Sequence, residues 1–411
     1  MPGATDFRTP NLAWKRRFRQ QTQSKPDPLE TPGISTPDRP SRPPAGEGRL
    51  CFQAPPDRPA PASGCHPAPT HRGRGGARPT LDPSAPSDVD RGHLPRPALA
   101  AQRIVSLLPS ATELVCALGL GDRLVGVTHE CDGPPEVGDL PPVTRTLIPP
   151  AATSGEIDAL VRERFEAAGD DRPALYTLDE DALAALDPDL IVTQALCDVC
   201  AVAEADVQAA ACRLPGSPRV LNLEPTTLAG VFASIDAVGC AAGVDAGPVV
   251  RALDARVRAV TERVSGRARP RVVVLEWLDP PFSAGHWNPE LVRLAGGAEV
   301  IGQEGAPSRT LDWAEVVRAA PDIVVVACCG FTPERALKDV GAFDGVAGWE
   351  TVPAARDGRV VVVDGSGLFA RPGPRLVEAV ELLAHLFHPD VQPRPDGVAP
   401  PVWLPGLPVA A

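Results

Sequence analysis

Short apolar runs alternate with stretches of helical spacing along most of the chain, starting near Arg103. Each run is rich in Val and Ile and is bounded by turn residues. Because polar residues do not alternate with apolar ones inside the runs, both faces of each strand must be covered, as in a parallel sheet between helices. The runs that predict strands are Ile104–Leu108, Leu124–Val127, Leu190–Thr193, Val220–Leu223, Val272–Leu275, Ile323–Ala327 and Val360–Val363.

Helix starts and stops recur in two halves of this pattern. Ser110, with Glu113 three residues later, is a capping-box signature that predicts a helix over Ala111–Leu118. Pro188 and Pro321 each mark the end of a helix and the start of an apolar strand, since the residue before a proline is pushed out of the helical region. The repetition predicts an α/β fold with two doubly wound parallel-sheet lobes.

One longer helix is predicted between the lobes, over Asp245–Ser265. Its valines and leucine recur at helical spacing, and about 20 residues make a helix of roughly 30 Å. A single helix is a stiff connection, whereas a coil linker would let the lobes close as on a hinge. The pattern therefore predicts a backbone helix that joins the two lobes.

Proline and charge divide the chain unevenly. The 411 residues include 50 prolines, about 12% against a usual 5%. Residues 1–100 hold 20 of them and carry a net charge of +6, while the remaining residues carry −18. Such a head cannot bury enough apolar surface to fold, so we expect a disordered, solvated segment and no nucleic-acid partner. The predicted divisions are 1–100 (head), 101–240 (first lobe), 241–269 (backbone helix), 270–390 (second lobe) and 391–411 (Pro-rich tail).

The cellular location is predicted from the absence of an apolar leader. The early basic residues are followed by polar residues rather than by the 7–15 apolar residues of a signal peptide. The ten cysteines follow no regular disulfide framework. We therefore expect a cytoplasmic monomer, or a periplasmic or cell-surface protein if the natural chain starts elsewhere.

Two loops at predicted strand ends carry metal-ligand chemistry. His129 and Cys131 follow one strand, and Cys197 and Cys200 form a Cys-x-x-Cys motif after another. Cys-x-x-Cys is compatible with zinc, redox chemistry or half of an iron–sulfur site, and small cysteines also simply pack in loops. The four residues together would make a chemically sensible zinc site.

Aromatic residues concentrate in one Pro/Gly-rich loop, Trp277–Trp287, in a chain where aromatics make up only 4%. A packed core does not need aromatics in such a loop, so a ligand-stacking platform is predicted. Neither a nucleophile elbow, nor a phosphate loop, nor a Gly-x-Gly-x-x-Gly motif is present in the sequence. The sequence therefore predicts a binding protein rather than an enzyme.

Five motifs, in this order, resemble those of one family: Arg103–Glu113, Leu186–Ile191, Pro280–Gly285, Leu294–Ala298 and Arg371–Leu376. The chain resembles the cobalamin-binding branch of the periplasmic-type cobalamin and iron-chelate substrate-binding proteins of ABC transporters, over about residues 102–390. The loop Pro-Pro-Phe-Ser-Ala-Gly is the part most similar to that branch. The resemblance implies two lobes, a rigid backbone helix, a cleft for cobalamin or a related corrinoid, and an ABC permease as partner.

The resemblance also implies residue roles. Phe282 matches an aromatic that touches the corrin, Tyr176 falls near another stacking aromatic, and Gly367–Arg371 matches a segment that closes over the ligand. One of His129, Cys131 or Cys197 is expected to coordinate the cobalt of the ligand, and Glu180 or Asp181 with Glu315 to contact the permease. The predicted ligand-binding residues are Ser110, Tyr176, Gln194, Trp277, Phe282, Trp287, Phe331, Phe369 and Arg371, and the predicted metal-binding residues are His129, Cys131, Cys197 and Cys200.

Two other functions stay open at this point. Within the same fold, haem or a ferric siderophore is the rival ligand, and Tyr176, the only Tyr of the chain, would be a candidate axial ligand of a haem. From another class, the cysteines would fit a cysteine-dependent metal or redox enzyme.

Overall fold

Two β-sheets built from successive parts of the chain form the framework. The structure is a computed structural model that describes residues 100–168, 175–194, 204–214 and 216–406. These residues belong to one compact unit. The predicted head, residues 1–100, therefore lies outside the described residues except for Ala100.

The strands and helices have the following bounds. The strands are β1 Ile104–Ser106, β2 Leu124–Gly126, β3 Thr144–Thr146, β4 Tyr176–Leu178, β5 Leu190–Thr193, β6 Arg219–Asn222, β7 Arg271–Leu278, β8 Pro281–Ser283, β9 Ala298–Glu299, β10 Ile323–Val326, β11 Val360–Val362 and β12 Val402–Leu404. The helices are α1 Pro109–Ala117, α2 Ser154–Ala168, α3 Glu180–Ala185, α4 Glu204–Arg213, α5 Leu228–Ala242, α6 Gly247–Arg263, α7 Asn288–Leu294, α8 Trp313–Ala319, α9 Pro333–Ala336, α10 Pro353–Arg356 and α11 Leu376–Phe387.

The first sheet is entirely parallel, in the order β2-β1-β5-β6. Strands β1 and β5 are buried along their whole length, as their uninterrupted apolar sequences require. Strands β3 and β4 form a separate antiparallel pair beside this sheet, in the register Thr146 opposite Tyr176. We call the first sheet with the helices packed on it the first lobe.

The second sheet has a parallel centre with antiparallel edges. Its order is β12-β11-β10-β7-β8, and β9 pairs with the first part of β7. Strands β7, β10 and β11 are parallel, whereas β8 and β12 run antiparallel to their neighbours. The predicted α/β fold with seven parallel-sheet strands is confirmed. The Pro-rich tail adds the edge strand β12, which the sequence pattern did not reveal.

The backbone helix is α6, whose observed span lies within the predicted Asp245–Ser265. It buries Leu253, Val257 and Val260, the residues that share one face at helical spacing. The chain enters it from α5, which ends at Gly243 in the left-handed region with φ +72°. The connection from the first sheet to the second is therefore helical almost throughout. None of the described helices combines the length and the apolarity needed to cross a membrane.

The predicted capping box at Ser110 is wrong, although the helix itself is present. Helix α1 begins one residue earlier, at Pro109, and its N-cap, Leu108, makes no side-chain cap bond. The Glu113 carboxylate instead accepts a hydrogen bond from Arg371, far away in sequence. A buried cationic partner is a stronger attraction for a carboxylate than a helix cap.

Helix α2 packs across the two lobes. It lies in sequence between β3 and β4, yet Ile157 on its first turn belongs to the core of the second sheet. Val161, one turn later, and Ile148, before the helix, contact the apolar cores of both lobes. Helix α2 therefore lies where the two lobes face each other.

Candidate functional site

The loops that follow the parallel strands of both sheets meet each other. In open α/β sheets, ligands bind beyond the carboxyl ends of the strands. Here, segments after β1, β2 and β3 of the first lobe contact β7 and the segments after β10 and β11 of the second lobe. Two groups of side chains make these contacts, and they differ in chemistry.

The first group, which we call the ion-pair contact, consists of Glu113, Asp132 and Arg371. The Arg371 guanidinium donates two hydrogen bonds to Asp132, at 2.6 Å to Oδ1 and 3.0 Å to Oδ2, in a bidentate pair. It also donates to Glu113 Oε1 at 3.2 Å. Arg371 is buried, and a segment containing a π-helical turn at Gly365–Phe369 positions it after β11.

Burial raises the pKa of Glu113 to about 7, against the opposing attraction of Arg371. The attraction does not prevail because Arg371 is already paired with Asp132, and because Glu113 Oε2 is buried with no hydrogen-bond partner in the described part of the chain. The same guanidinium lowers the pKa of Asp132, whose own burial opposes that effect. Asp132 therefore stays ionised, while Glu113 titrates near neutral pH.

The second group, which we call the α2 contact, fixes the start of α2 to the second lobe. Trp277 Nε1 donates to the Ser154 carbonyl at 3.2 Å, and the Ser154 amide donates to Asp339 Oδ2 at 2.7 Å. Arg335 Nη2 donates to the Ala152 carbonyl at 3.0 Å. Three side chains of the second lobe thus hold the backbone of Ala152 and Ser154 at the start of α2.

Aromatic rings underlie the α2 contact. The Trp277 and Phe331 rings lie 5.0 Å apart between centroids, at 57°. The Arg335 guanidinium stands 3.9 Å above the Phe331 ring, a cation–π geometry. Burial lowers the pKa of Arg335, which its neighbour Asp339 opposes. Phe331 is fully buried, and Trp277 is partly buried beneath α2.

A polar cluster lies at the end of β2, in the first lobe. The His129 ring contacts the Thr144 hydroxyl through Nδ1 at 2.8 Å, and its centroid is 5.6 Å from that of Tyr176. The Tyr176 hydroxyl donates to Glu130 Oε1 at 2.9 Å. Thr144 in turn donates to Thr128 at 3.0 Å. We call these five residues the His129 cluster.

The predicted zinc tetrad is only partly within the described residues. Cys131 Sγ lies 3.0 Å from the Thr112 hydroxyl, and burial raises the pKa of its thiol. Cys197 and Cys200 lie outside the described residues. Within the described ranges, no group of three or more His, Cys, Asp or Glu side chains is arranged to hold a metal ion.

The other predicted ligand-binding residues are placed as follows. Trp287 and Phe369 are buried together, with Trp287 Nε1 donating to the Phe369 carbonyl at 2.8 Å. Ser110 is buried at the start of α1, Gln194 is half-buried with Oε1 unpartnered, and Phe282 is half-buried on β8. The structure thus brings Trp277, Phe331 and Tyr176 to the meeting of the lobes, while Trp287 and Phe369 serve the packing of the second lobe. Ligand contact by these residues stays a prediction.

Glu276, next to Trp277 on β7, holds the aromatic loop in place. Its Oε1 accepts hydrogen bonds from the Gly285 amide at 2.8 Å and from Asn288 Nδ2 at 2.7 Å. Burial raises the pKa of Glu276 to about 7. Gly285 itself approaches the backbone of Ser308 so closely that a Cβ there would lie 2.2 Å from the Ser308 nitrogen.

A cavity of about 420 Å³ lies between α2 and the turn that joins β7 to β8. Gly155 on α2 faces Asp279 of this turn, and Arg162 on α2 pairs with Asp158 one turn earlier. The cavity shows that α2 does not fill all of the space between the lobes.

Sequence reasoning missed Arg335, Asp339, Ser154 and Thr144. Arg335 and Asp339 lie on and after a short helix of the second lobe, with no apolar pattern or motif to distinguish them. Glu113 was noticed, but in the role of a cap. The signal that could have found it is its place in the motif Arg103–Glu113, which pairs in the structure with the motif Arg371–Leu376.

Two facing α/β lobes, a helical connection and a cleft at the strand ends define the class of two-lobed substrate-binding proteins. Residues 104–366 match the family described as periplasmic binding protein. The chain belongs to this family, which consists of substrate-binding proteins rather than enzymes.

Two curated relatives are similar over most of their length, and a third over a short segment. The chain is 26% identical over 321 residues to the ABC transporter substrate-binding lipoprotein YvrC of Bacillus subtilis, covering 76% of this chain and 86% of the relative. It is 24% identical over 288 residues to the vitamin B12-binding protein of Vibrio cholerae, covering 68% and 87%. A segment of 38 residues is 58% identical to the vitamin B12-binding protein of Yersinia pestis, covering 9% and 14%.

Solved structures share the fold. The periplasmic vitamin B12 binding protein BtuF of Vibrio cholerae superposes with a TM-score of 0.50 at 22% identity, covering 70% of this chain and 96% of that one. A periplasmic heme binding protein of Pseudomonas aeruginosa gives a TM-score of 0.53 at 20% identity, covering 71% and 94%. Proteins with different ligands thus match the fold equally well.

The predicted cytoplasmic location is wrong. The family and its curated relatives are periplasmic or lipoprotein components of ABC importers, which act outside the cytoplasm and bind a small molecule for a permease. The cysteine count misled the prediction because the number of cysteines does not by itself report their redox state.

Proposed function

We propose that the chain binds cobalamin or a related corrinoid between its two lobes, without catalysing a reaction, and delivers it to an ABC permease. The observation that carries the proposal is the pairing of surfaces at the strand ends. Trp277 and Phe331 of the second lobe, and Tyr176 of the His129 cluster in the first lobe, belong to two apolar clusters that share Ile148 and Val161.

This pairing suits the chemistry of a corrin. A corrin ring is broad, with apolar methyl groups and amide side chains at its rim. Aromatic faces stack on the ring, and a few well-placed polar groups fix its orientation. The vitamin B12-binding proteins among the relatives support a corrinoid over the ligands of other proteins with this fold.

Ligand entry requires the α2 contact to open. The cavity beside α2 is about 420 Å³, whereas ligand sites range from about 300 to 1,000 Å³ and a corrinoid belongs at the upper end. Ser154 holds the indole of Trp277, and Ala152 holds the Arg335 guanidinium that covers Phe331, so freeing both rings for a ligand requires these bonds to break. The structure thus corresponds to a closed arrangement of the cleft.

Calorimetric titration with cyanocobalamin tests the proposal. We expect one site per chain, and a Trp277→Ala variant that binds about tenfold more weakly because a stacking face worth roughly 1.4 kcal/mol is lost. Trp403→Ala is the matched control, because Trp403 is 41% exposed on the edge strand β12. Equal affinity of both variants would place the ligand away from the Trp277 loop.

Haem is the second candidate ligand, and a specific observation favours it. His129 and Tyr176, both of residue types that can hold haem iron, lie side by side in the His129 cluster. Titration with haemin would then produce a Soret shift that is lost in Tyr176→Phe. Stronger binding of haemin than of cyanocobalamin would replace the corrinoid proposal.

Permease contact is proposed through one acidic residue on each lobe. Asp181 is exposed on α3, beside Glu180, which pairs with Arg213 at 2.6 Å. Glu315 on α8 pairs with Arg309 at 2.8 Å. With the cognate permease in liposomes, Asp181→Ala and Glu315→Ala should reduce ligand-stimulated ATP hydrolysis while leaving ligand affinity unchanged. A loss of ligand affinity in these variants would instead place them at the ligand site.

A further inference from the structure

We propose that His129 coordinates the cobalt of the bound corrinoid through Nε2, as an axial ligand supplied by the protein. This inference rests on the proposed function and deepens it, since it names the atom that would recognise the metal centre of the ligand. Three observations carry it: the hydrogen bond that fixes the tautomer of the ring, the unpartnered state of Nε2, and the position of the ring at the meeting of the lobes.

The tautomer follows from the hydroxyl of Thr144. That hydroxyl donates its one proton to Thr128 Oγ1 at 3.0 Å, and it accepts the His129 backbone N–H at 3.2 Å. With its proton committed, it can only accept from the ring, so His129 Nδ1, at 2.8 Å, carries the hydrogen. In the neutral imidazole, Nε2 then holds a lone pair.

The Nε2 atom is buried and has no hydrogen-bond partner among the residues that the structure describes. The nearest carboxylate oxygen, Glu130 Oε1, is 4.0 Å away, beyond hydrogen-bond reach, and it already accepts from the Tyr176 hydroxyl at 2.9 Å. A buried polar atom without a partner costs free energy, and such atoms are rare in folded proteins. A bound ligand would supply the missing partner.

A metal fits this nitrogen well. Ligating histidines characteristically donate their other ring N–H to an oxygen that fixes the ring, as His129 does toward Thr144. Of the two predicted metal-binding residues that the structure describes, Cys131 differs, because its sulfur already contacts the hydroxyl of Thr112. Cobalt in a corrin accepts axial ligands above and below the ring, and imidazole nitrogen is a common ligand of such ions.

The position of the His129 ring also suits coordination of a metal bound between the lobes. His129 follows β2 at the carboxyl edge of the first sheet. Its neighbour Tyr176 belongs to an apolar cluster on which Ile148 and Val161 pack, and these two residues also pack on the core of the second lobe. A corrin stacked on Trp277 would therefore present its metal toward the first lobe.

The test uses cob(II)inamide, a corrinoid that lacks its own nucleotide base, and the full-length protein. Electron paramagnetic resonance of the complex should show a triplet splitting from one axial ¹⁴N, which becomes a doublet when the protein is labelled with ¹⁵N-histidine. His129→Ala should abolish the splitting and weaken binding by about 10- to 100-fold, and Thr144→Val should weaken it by about tenfold because the ring is no longer fixed. His385→Gln, on α11, is the matched control and should retain the splitting.

The outcomes separate the two proposals. If cob(II)inamide binds by calorimetry but no splitting depends on the histidine label, the coordination by His129 is overturned and the corrinoid function stands. If calorimetry shows no binding of any corrinoid to the unmodified protein, both proposals fail. The labelling experiment uses the unmodified sequence, so its result does not depend on whether a variant folds.

Discussion

The ion-pair contact and the α2 contact both hold the two lobes together, but they do so with different chemistry. The ion-pair contact joins side chains that carry opposite charge, and its central guanidinium is buried between Glu113 and Asp132. The α2 contact joins side chains of the second lobe to backbone groups of the first, above two aromatic rings. Charge makes the first contact sensitive to pH and costly to break, whereas the second can open one hydrogen bond at a time. We infer that the α2 contact is the one that yields when ligand enters.

The largest effect is expected from removing the cation of the ion-pair contact. Arg371→Met leaves Glu113 buried without its partner, and breaking a buried pair costs about 3 to 5 kcal/mol. Asp132, whose side chain is 65% exposed, adds little to that cost. Urea unfolding should therefore show a loss of about 3 kcal/mol in the free energy of unfolding.

Arg213→Met is the control for this prediction. Arg213 pairs with Glu180 at 2.6 Å, but both side chains are more than half exposed, and such pairs contribute less than about 1 kcal/mol. Adding Glu113→Gln to Arg371→Met should recover part of the lost stability. Equal losses in the Arg371 and Arg213 variants would show that the ion-pair contact is not effectively buried.

The second-largest effect is expected from a change of pH, which should alter the stability of the ion-pair contact. The pKa of Glu113 rises from 4.5 to about 7 in the folded protein, so the folded state binds more protons than the unfolded chain between these values. Its stabilising contribution is complete below pH 4.5 and is lost as the pH rises through 7. The loss is on the order of 3 kcal/mol, and Glu113→Gln should remove that part of the pH dependence.

Glu276, whose pKa is also raised to about 7, titrates in the same range and provides the comparison. Glu276→Gln should flatten the remaining slope without changing how the lobes contact each other. A pH profile that is identical in the unmodified protein and in Glu113→Gln would contradict the burial of Glu113.

A smaller effect is expected when the α2 contact is weakened. Asp339→Asn keeps the shape of the side chain but makes its hydrogen bond with the Ser154 amide neutral, at a cost of about 1 kcal/mol. Amide hydrogen exchange at the start of α2 should accelerate about fivefold, and stopped-flow association of cyanocobalamin should accelerate similarly. Asp344→Asn, an exposed change nearby, should alter neither rate. Faster exchange with unchanged association would mean that α2 does not cover the ligand path.

The sequence revealed the sheets because strand burial is a local pattern. Runs such as Ile323–Ala327 have no alternative to a covered strand, whatever the rest of the chain does. The contacts of the site could not be predicted in this way, because they join residues that are far apart in the sequence. Glu113 has a partner 258 residues away, and Ser154 has one 185 residues away. No spacing rule connects such pairs.

Helix α2 illustrates the limit most clearly. Its apolar positions predict a helix but not the sheet on which that helix packs, and Ile157 packs on the sheet of the other lobe. The edge strand Val402–Leu404 was not predicted for a related reason. Three residues between prolines show too little of a strand pattern, and the strand is defined by its pairing with β11.

The central claim, that a corrinoid binds between the lobes, is tested most directly by competitive calorimetry of the unmodified protein with cyanocobalamin and haemin. The account predicts saturable binding of cyanocobalamin at one site per chain, with quenching of tryptophan fluorescence that is lost in Trp277→Phe. Absence of heat with cyanocobalamin, together with saturable binding of haemin, would contradict it.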